Sequence, residues 1–67
     1  GRVRAAMMRL TVRQREALVL REVEGLSLAE LAEVLEVPLR TAQARVTSAH
    51  AAMRRELGVA APDGGGE

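Results

Sequence analysis

The polar side chains with the most chemistry to offer fall in one short run, Arg40-Thr41-Ala42-Gln43-Ala44-Arg45-Val46-Thr47-Ser48. The Gln43 amide carries a donor and an acceptor side by side, which suits paired hydrogen bonds to N6 and N7 of adenine. Thr47 offers a methyl group to thymine or a hydroxyl to phosphate, and Arg40 lies on the same polar side as a further candidate for DNA contact. Each also has a plainer use, since Gln and Arg are good formers of exposed helix. Catalysis has no comparable set. The chain has one His and no Cys, and the Gly64-Gly65-Gly66 run opens no helix that would cradle a phosphate. His50 has no second imidazole or thiolate with which to share a metal, and reads as an exposed helix residue. No enzymatic activity, metal or cofactor is expected. Aromatic residues are absent as well, which removes the stacking platforms of single-strand binders.

What must position this run is a helix. From Pro38 onward, Ala42, Val46, Ala49, Met53 and Leu57 recur at steps of four, three, four and four, one apolar stripe along a long helix. Arg40, Gln43, Ala44, Thr47 and Ser48 lie on its other side. Proline disfavours helical geometry in the residue before it and suits the first turn of a new helix. An earlier helix must therefore end ahead of Pro38, with Leu35, Glu36 and Val37 as the turn. That earlier helix starts at Ser27 or Leu28. Gly25 closes whatever precedes it, and Ser27 with Glu30 forms an S-x-x-E capping box. Leu28, Leu31, Ala32 and Leu35 then line one face. A short helix, a tight turn and a longer helix, with Ala32 and Ala42 small enough for a close crossing, make a helix-turn-helix. The polar first half of its second helix would enter a DNA major groove.

Upstream, Val3, Met7, Met8 and Leu10 support a short first helix. Thr11 is a natural N-cap, with Gln14 in the third position, for a second helix running to about Glu24. Val12, Val19 and Val23 share a stripe of this second helix, widened by Ala17, Leu18 and Leu20. The stripe is read as buried core, with partner docking as the alternative. The fold expected is all-α, a small four-helix domain over residues 1–57, followed by a disordered tail over 58–67 that lacks apolar periodicity. A core in so short a chain gives only a few kcal/mol of net stability. No apolar run is long enough to span a membrane, and no signal peptide is seen.

The net charge of +1 conceals bands. Gly1 to Arg21 holds six Arg against Glu16, Glu22 to Glu36 holds five Glu and no base, and Arg40 to Leu57 holds four Arg against Glu56. The bland account of the bands is solvated faces making pairs such as Glu36 with Arg40.

One ordered series of residues is more specific than any of its parts. Arg15 is followed by L-V-L-R-E-V-E-G-L-S from Leu18 to Ser27, A-E-L-A-E-V-L from Ala29 to Leu35, and V-P-L-R-T-A-Q-A-R-V from Val37 to Val46. Over about Met7 to Leu57 the chain resembles the fourth domain of bacterial sigma factors, and within them is most similar to the extracytoplasmic-function group. The resemblance implies a cytoplasmic domain that reads the minus-35 promoter element in double-stranded DNA while other faces hold the β-flap of RNA polymerase core. It implies a phosphate contact for Arg21, a place at the DNA surface for Thr41, Gln43, Ala44, Thr47 and Ser48, and phosphate binding or helix bracing for Arg45. It also implies an ion pair between Arg15 and Glu30. The chain departs from the family pattern in having Glu36 where Gly is common in the turn. It also lacks the family's bases at 43, 48 and 50, so weak DNA binding by the isolated domain is expected.

Two other readings stand beside promoter recognition. The domain could serve chiefly as a protein-interaction module, held by an anti-sigma factor or by polymerase through Leu18 to Val23 and the Met7, Met8 pair. A response-regulator effector domain shares the helix-turn-helix, but fits the L-R-E-V-E-G segment less well. Neither a membrane nor a small-molecule substrate is expected as partner.

Overall fold

The computed structural model describes residues 1–58, all of whose regular structure is helical. Four α-helices follow in order: α1 over Arg2–Met8, α2 over Val12–Leu18, α3 over Leu28–Leu35 and α4 over Leu39–Leu57. Of the expected disordered tail over 58–67, Gly58 is the left-handed C-cap of α4, and 59–67 lie outside the described residues. No helix among them is long and apolar enough to cross a membrane.

Local chemistry fixes the starts of the middle helices. Thr11 Oγ1 accepts from the Gln14 N–H, and Gln14 Oε1 accepts from the Thr11 N–H at 3.0 Å. Ser27 and Glu30 repeat the exchange at the head of α3, at 3.0 and 2.8 Å. Both capping boxes stand where the sequence places them, each satisfying two N–H groups that a helix start leaves unpaired.

The second helix does reach Val23, but its last stretch, Val19–Val23, widens into a π-helix. The Glu24 N–H donates to the Val19 carbonyl five residues back, and the Leu26 N–H donates to the Leu20 carbonyl. Gly25, at φ +76°, makes the left-handed step between them, and the Arg21 guanidinium donates to the Leu26 carbonyl at 2.6 Å.

The turn of the helix-turn-helix is built on Glu36, which is left-handed at φ 57°, ψ 48°. The Val37 N–H donates to the Ala32 carbonyl and the Glu36 N–H to the Glu33 carbonyl, the paired bonds that normally close a helix on glycine. Any side chain there costs about 1 kcal/mol. Val37 repays part of this by packing on the core. Pro38 is extended and is the N-cap of α4, so the helix begins one residue later than the sequence reading set it.

Helix α4 is the element the others share, touching α1, α2 and α3. Its stripe forms two clusters. Ala42 and Val46 meet Ala17 of α2 and Leu31 and Ala32 of α3. Ala49 and Ala52 meet Leu10 and Leu18, with Met7 and Met53 packed alongside. Ala52 belongs to this core although the periodic stripe did not include it. The valine stripe of the second helix does not: Val12 is 71% exposed and Val23 72%, only Val19 is half-buried, and the buried face is Ala17 and Leu18. The widened turn explains the miss at Val23, because positions beyond Leu18 no longer follow the 3.6-residue period. Arg2 closes the far end by donating to the Leu57 carbonyl at 2.9 Å.

Candidate nucleic-acid interface

Three buried residues, Ala42, Val46 and Ala49, turn one side of α4 inward. By helical periodicity the residues between them face out, and Arg40, Gln43, Ala44, Thr47 and Ser48 are all exposed. Thr41 and Arg45 are half-buried on the flanks. The amide of Gln43 and the hydroxyl of Thr47, one helical turn apart, thus share a side that no part of the described chain covers. Thr41, Ala44, Arg45 and Ser48 also border a shallow groove of about 280 Å³, whose other wall is Thr11, Arg13 and Gln14 at the start of α2. Two guanidinium groups and three hydroxyls line this groove, with no carboxylate among its lining residues. Gln43, Thr47 and Arg40 lie outside it, on the free side of the helix.

A single side-chain bond ties the two walls. Gln14 Nε2 donates to Ser48 Oγ at 2.9 Å. Nothing in the spacing of these residues, thirty-four apart, signalled the contact. The sequence marks Gln14 as a helix cap and Arg13 as one cation in a basic band, and the groove joins them.

Arg15 and Glu30 are not brought together as the resemblance implies. Arg15 Nη1 donates to the Met7 carbonyl at 3.0 Å, so it braces the end of α1. Glu30 spends its carboxylate on the capping box. Glu36 and Arg40 form no ion pair either. The ion pair found among the described residues is Arg9 with Glu56 at 3.7 Å, while His50 Nε2 and Glu22 Oε2 share a hydrogen bond at 3.0 Å. The His50 side chain is 42% exposed on α4, in line with its reading as an exposed helix residue, and through Glu22 it links α4 to the π-helical turn. Arg21 sits on that turn, apart from the groove, half-buried and bound to the Leu26 carbonyl. A guanidinium has five N–H donors, so this bond leaves others for a phosphate. No cluster of side chains suited to a metal ion occurs among the described residues.

On the opposite side, Val3, Met7, Leu18, Glu22, Val23, His50 and Met53 line a second groove of about 410 Å³, mostly apolar. Its rim carries the exposed side chains of Val3 and Val23.

A short helix, a tight turn and a long helix with its polar first half uncovered form a helix-turn-helix, one of the arrangements that dock in the major groove of duplex DNA. Comparison with curated proteins and with solved structures gives no significant match. The family model described as "Sigma-70, region 4" matches residues 1–53, all four helices to within one turn of the end of α4. The chain belongs to the sigma-70 region 4 family, the non-catalytic DNA-binding domain through which sigma factors engage the minus-35 promoter element and RNA polymerase.

Proposed function

We propose that this chain is the promoter-reading C-terminal domain of a sigma factor of the extracytoplasmic-function type, working in the cytoplasm. The first half of α4 enters the major groove, Gln43 reads a base edge, and Thr47 contacts a thymine methyl or a phosphate. Arg40, Arg45 and Arg21 neutralise phosphates, and Thr41, Ala44 and Ser48 allow close approach. The observation that supports this best is the shared exposure of Gln43 and Thr47 on the side of α4 opposite its buried stripe. Gln43, Ser48 and His50 stand where three further cations would strengthen groove binding, and each missing phosphate contact lowers the salt dependence of affinity by about one. The isolated domain therefore binds DNA with micromolar or weaker affinity at physiological salt, and gains effective concentration at the promoter from polymerase tethering.

The test is selection of a preferred duplex from a random-sequence pool, followed by binding of Gln43→Ala and Arg21→Ala. Gln43→Ala should relax preference at one base pair and weaken binding to the selected site by about tenfold. Arg21→Ala should weaken all sequences alike. Equal binding of wild type and Gln43→Ala to every sequence would contradict the assignment.

A second reading is favoured by the apolar groove. Its lining of Val3, Met7, Leu18, Val23 and Met53 suits an amphipathic helix from a protein partner. The β-flap and an anti-sigma factor are the two partners of that kind, and neither excludes DNA binding. Loss of partner binding in Val23→Asp, with DNA binding retained, would support this second role.

A further inference from the structure

The groove between α2 and α4 carries an inference beyond base reading, though it rests on the reading that α4 lies against duplex DNA. We propose that this groove seats one backbone phosphate, with Arg13 and Arg45 as its cations and Gln14 as the positioning residue for the Ser48 hydroxyl.

The hydrogen bonds fix the roles. The Thr11 N–H needs an acceptor, so the oxygen of the Gln14 amide faces it at 3.0 Å. This leaves the Gln14 NH₂ as donor to Ser48, at 2.9 Å. Ser48 Oγ is thus an acceptor in that bond. A hydroxyl carries one proton and two lone pairs, so its own O–H stays available to donate. Gln14 therefore holds Ser48 in place while leaving it the one bond that a phosphate oxygen can take up. The two arginines approach from different elements, one exposed on α2 and one half-buried on α4. A guanidinium binds phosphate through paired N–H groups, and no carboxylate among the lining residues competes for them. Hydroxyls of Thr11 and Thr41 complete a surface that offers donors to an anion. The contact carries no base information and fixes the register of α4 along the duplex. The start of α2 thus becomes part of the DNA interface, beyond the residues of the helix-turn-helix.

The experiment is a salt titration of binding to a short mixed-sequence DNA duplex, by anisotropy, with the 67-residue chain. Arg13→Ala should reduce the slope of log K against log salt by about one and weaken binding alike on all sequences. Ser48→Ala and Gln14→Ala should each weaken binding by about three- to tenfold after correction for the folded fraction. Their double variant should be no weaker than the worse single, because Gln14 acts through Ser48. A purely structural Gln14 would lower the melting temperature through its lost cap and show no coupling with Ser48 in DNA affinity. An unchanged salt slope in Arg13→Ala, or additive effects of Gln14 and Ser48, would overturn the phosphate seat while wild-type binding and Gln43 discrimination persist. Absence of any duplex binding by the wild type at low salt would overturn the underlying reading, and the seat with it.

Discussion

The two halves of the core are built from similar residues and differ in how completely they are closed. Under the helix-turn-helix, Leu31 is fully buried among Ala17, Ala32, Ala42 and Val46, with Leu20, Leu28, Leu35 and Val37 closing around them. Towards α1, Leu10 and Leu18 meet Ala49 and Ala52, with only Met7 and Met53 packed against them. The first cluster is sealed, and the second opens at its edge into the apolar groove. Rigidity is therefore concentrated where α3 must hold α4 at a set angle, while the α1 side keeps apolar surface available. A recognition helix needs a fixed platform, and a protein-docking face needs an unspent one.

Truncation of the two leucines has the largest expected effect on this contrast. Leu31→Ala removes the one large side chain that is fully buried and leaves a cavity its neighbours cannot fill, at a cost of about 3 kcal/mol. Against a net stability on the order of 5 kcal/mol, that leaves about 2 kcal/mol, a domain still mostly folded but with a much lower midpoint in a urea or thermal melt. Leu18→Ala, 7% exposed beside an open groove, should cost about 2 kcal/mol. An equal or larger loss for Leu18 would mean that the α1 side is as tightly packed as the helix-turn-helix.

Smaller effects test the boundaries of the rigid half. Ser27→Ala removes the hydroxyl that caps α3 and should lower stability by about 1 kcal/mol, read from the urea midpoint. Glu36→Gly should raise stability by about 0.5 kcal/mol, since relief of the left-handed strain exceeds the added freedom of the unfolded chain. A loss of stability in Glu36→Gly would show that the Glu36 side chain makes a contact worth more than the strain.

Most of the fold was legible because it is written in local signals. Two capping boxes, a proline and an apolar stripe at helical spacing mark starts, stops and faces, and each acts within a few residues. The departure at Glu36 from the family's common turn glycine marks the position that the structure makes left-handed. What escaped is what depends on contacts distant in sequence or on a change of helical period. The π-helical turn shifts Val23 outward and lets Arg21 reach the Leu26 carbonyl, and no spacing rule for an α-helix anticipates that. Arg15 has two chemically reasonable partners, the Glu30 carboxylate and the Met7 carbonyl, and only the packing of α1 against its neighbours decides for Met7. His50 found Glu22 in the same way. Of the site, the exposed side of α4 followed from the position of its apolar stripe, whereas the groove with Arg13 and Gln14 needed α2 and α4 side by side.

The central claim is that the uncovered first half of α4 is the surface that meets DNA. Amide chemical-shift mapping of the chain titrated with a short mixed-sequence duplex at low salt tests it directly. The account predicts perturbations concentrated over Arg40 to Ser48, extending to Arg13 and Gln14, with Val3, Met7, Val23 and Met53 unmoved. Perturbations centred on the apolar groove, with Gln43 and Thr47 unaffected, would contradict it.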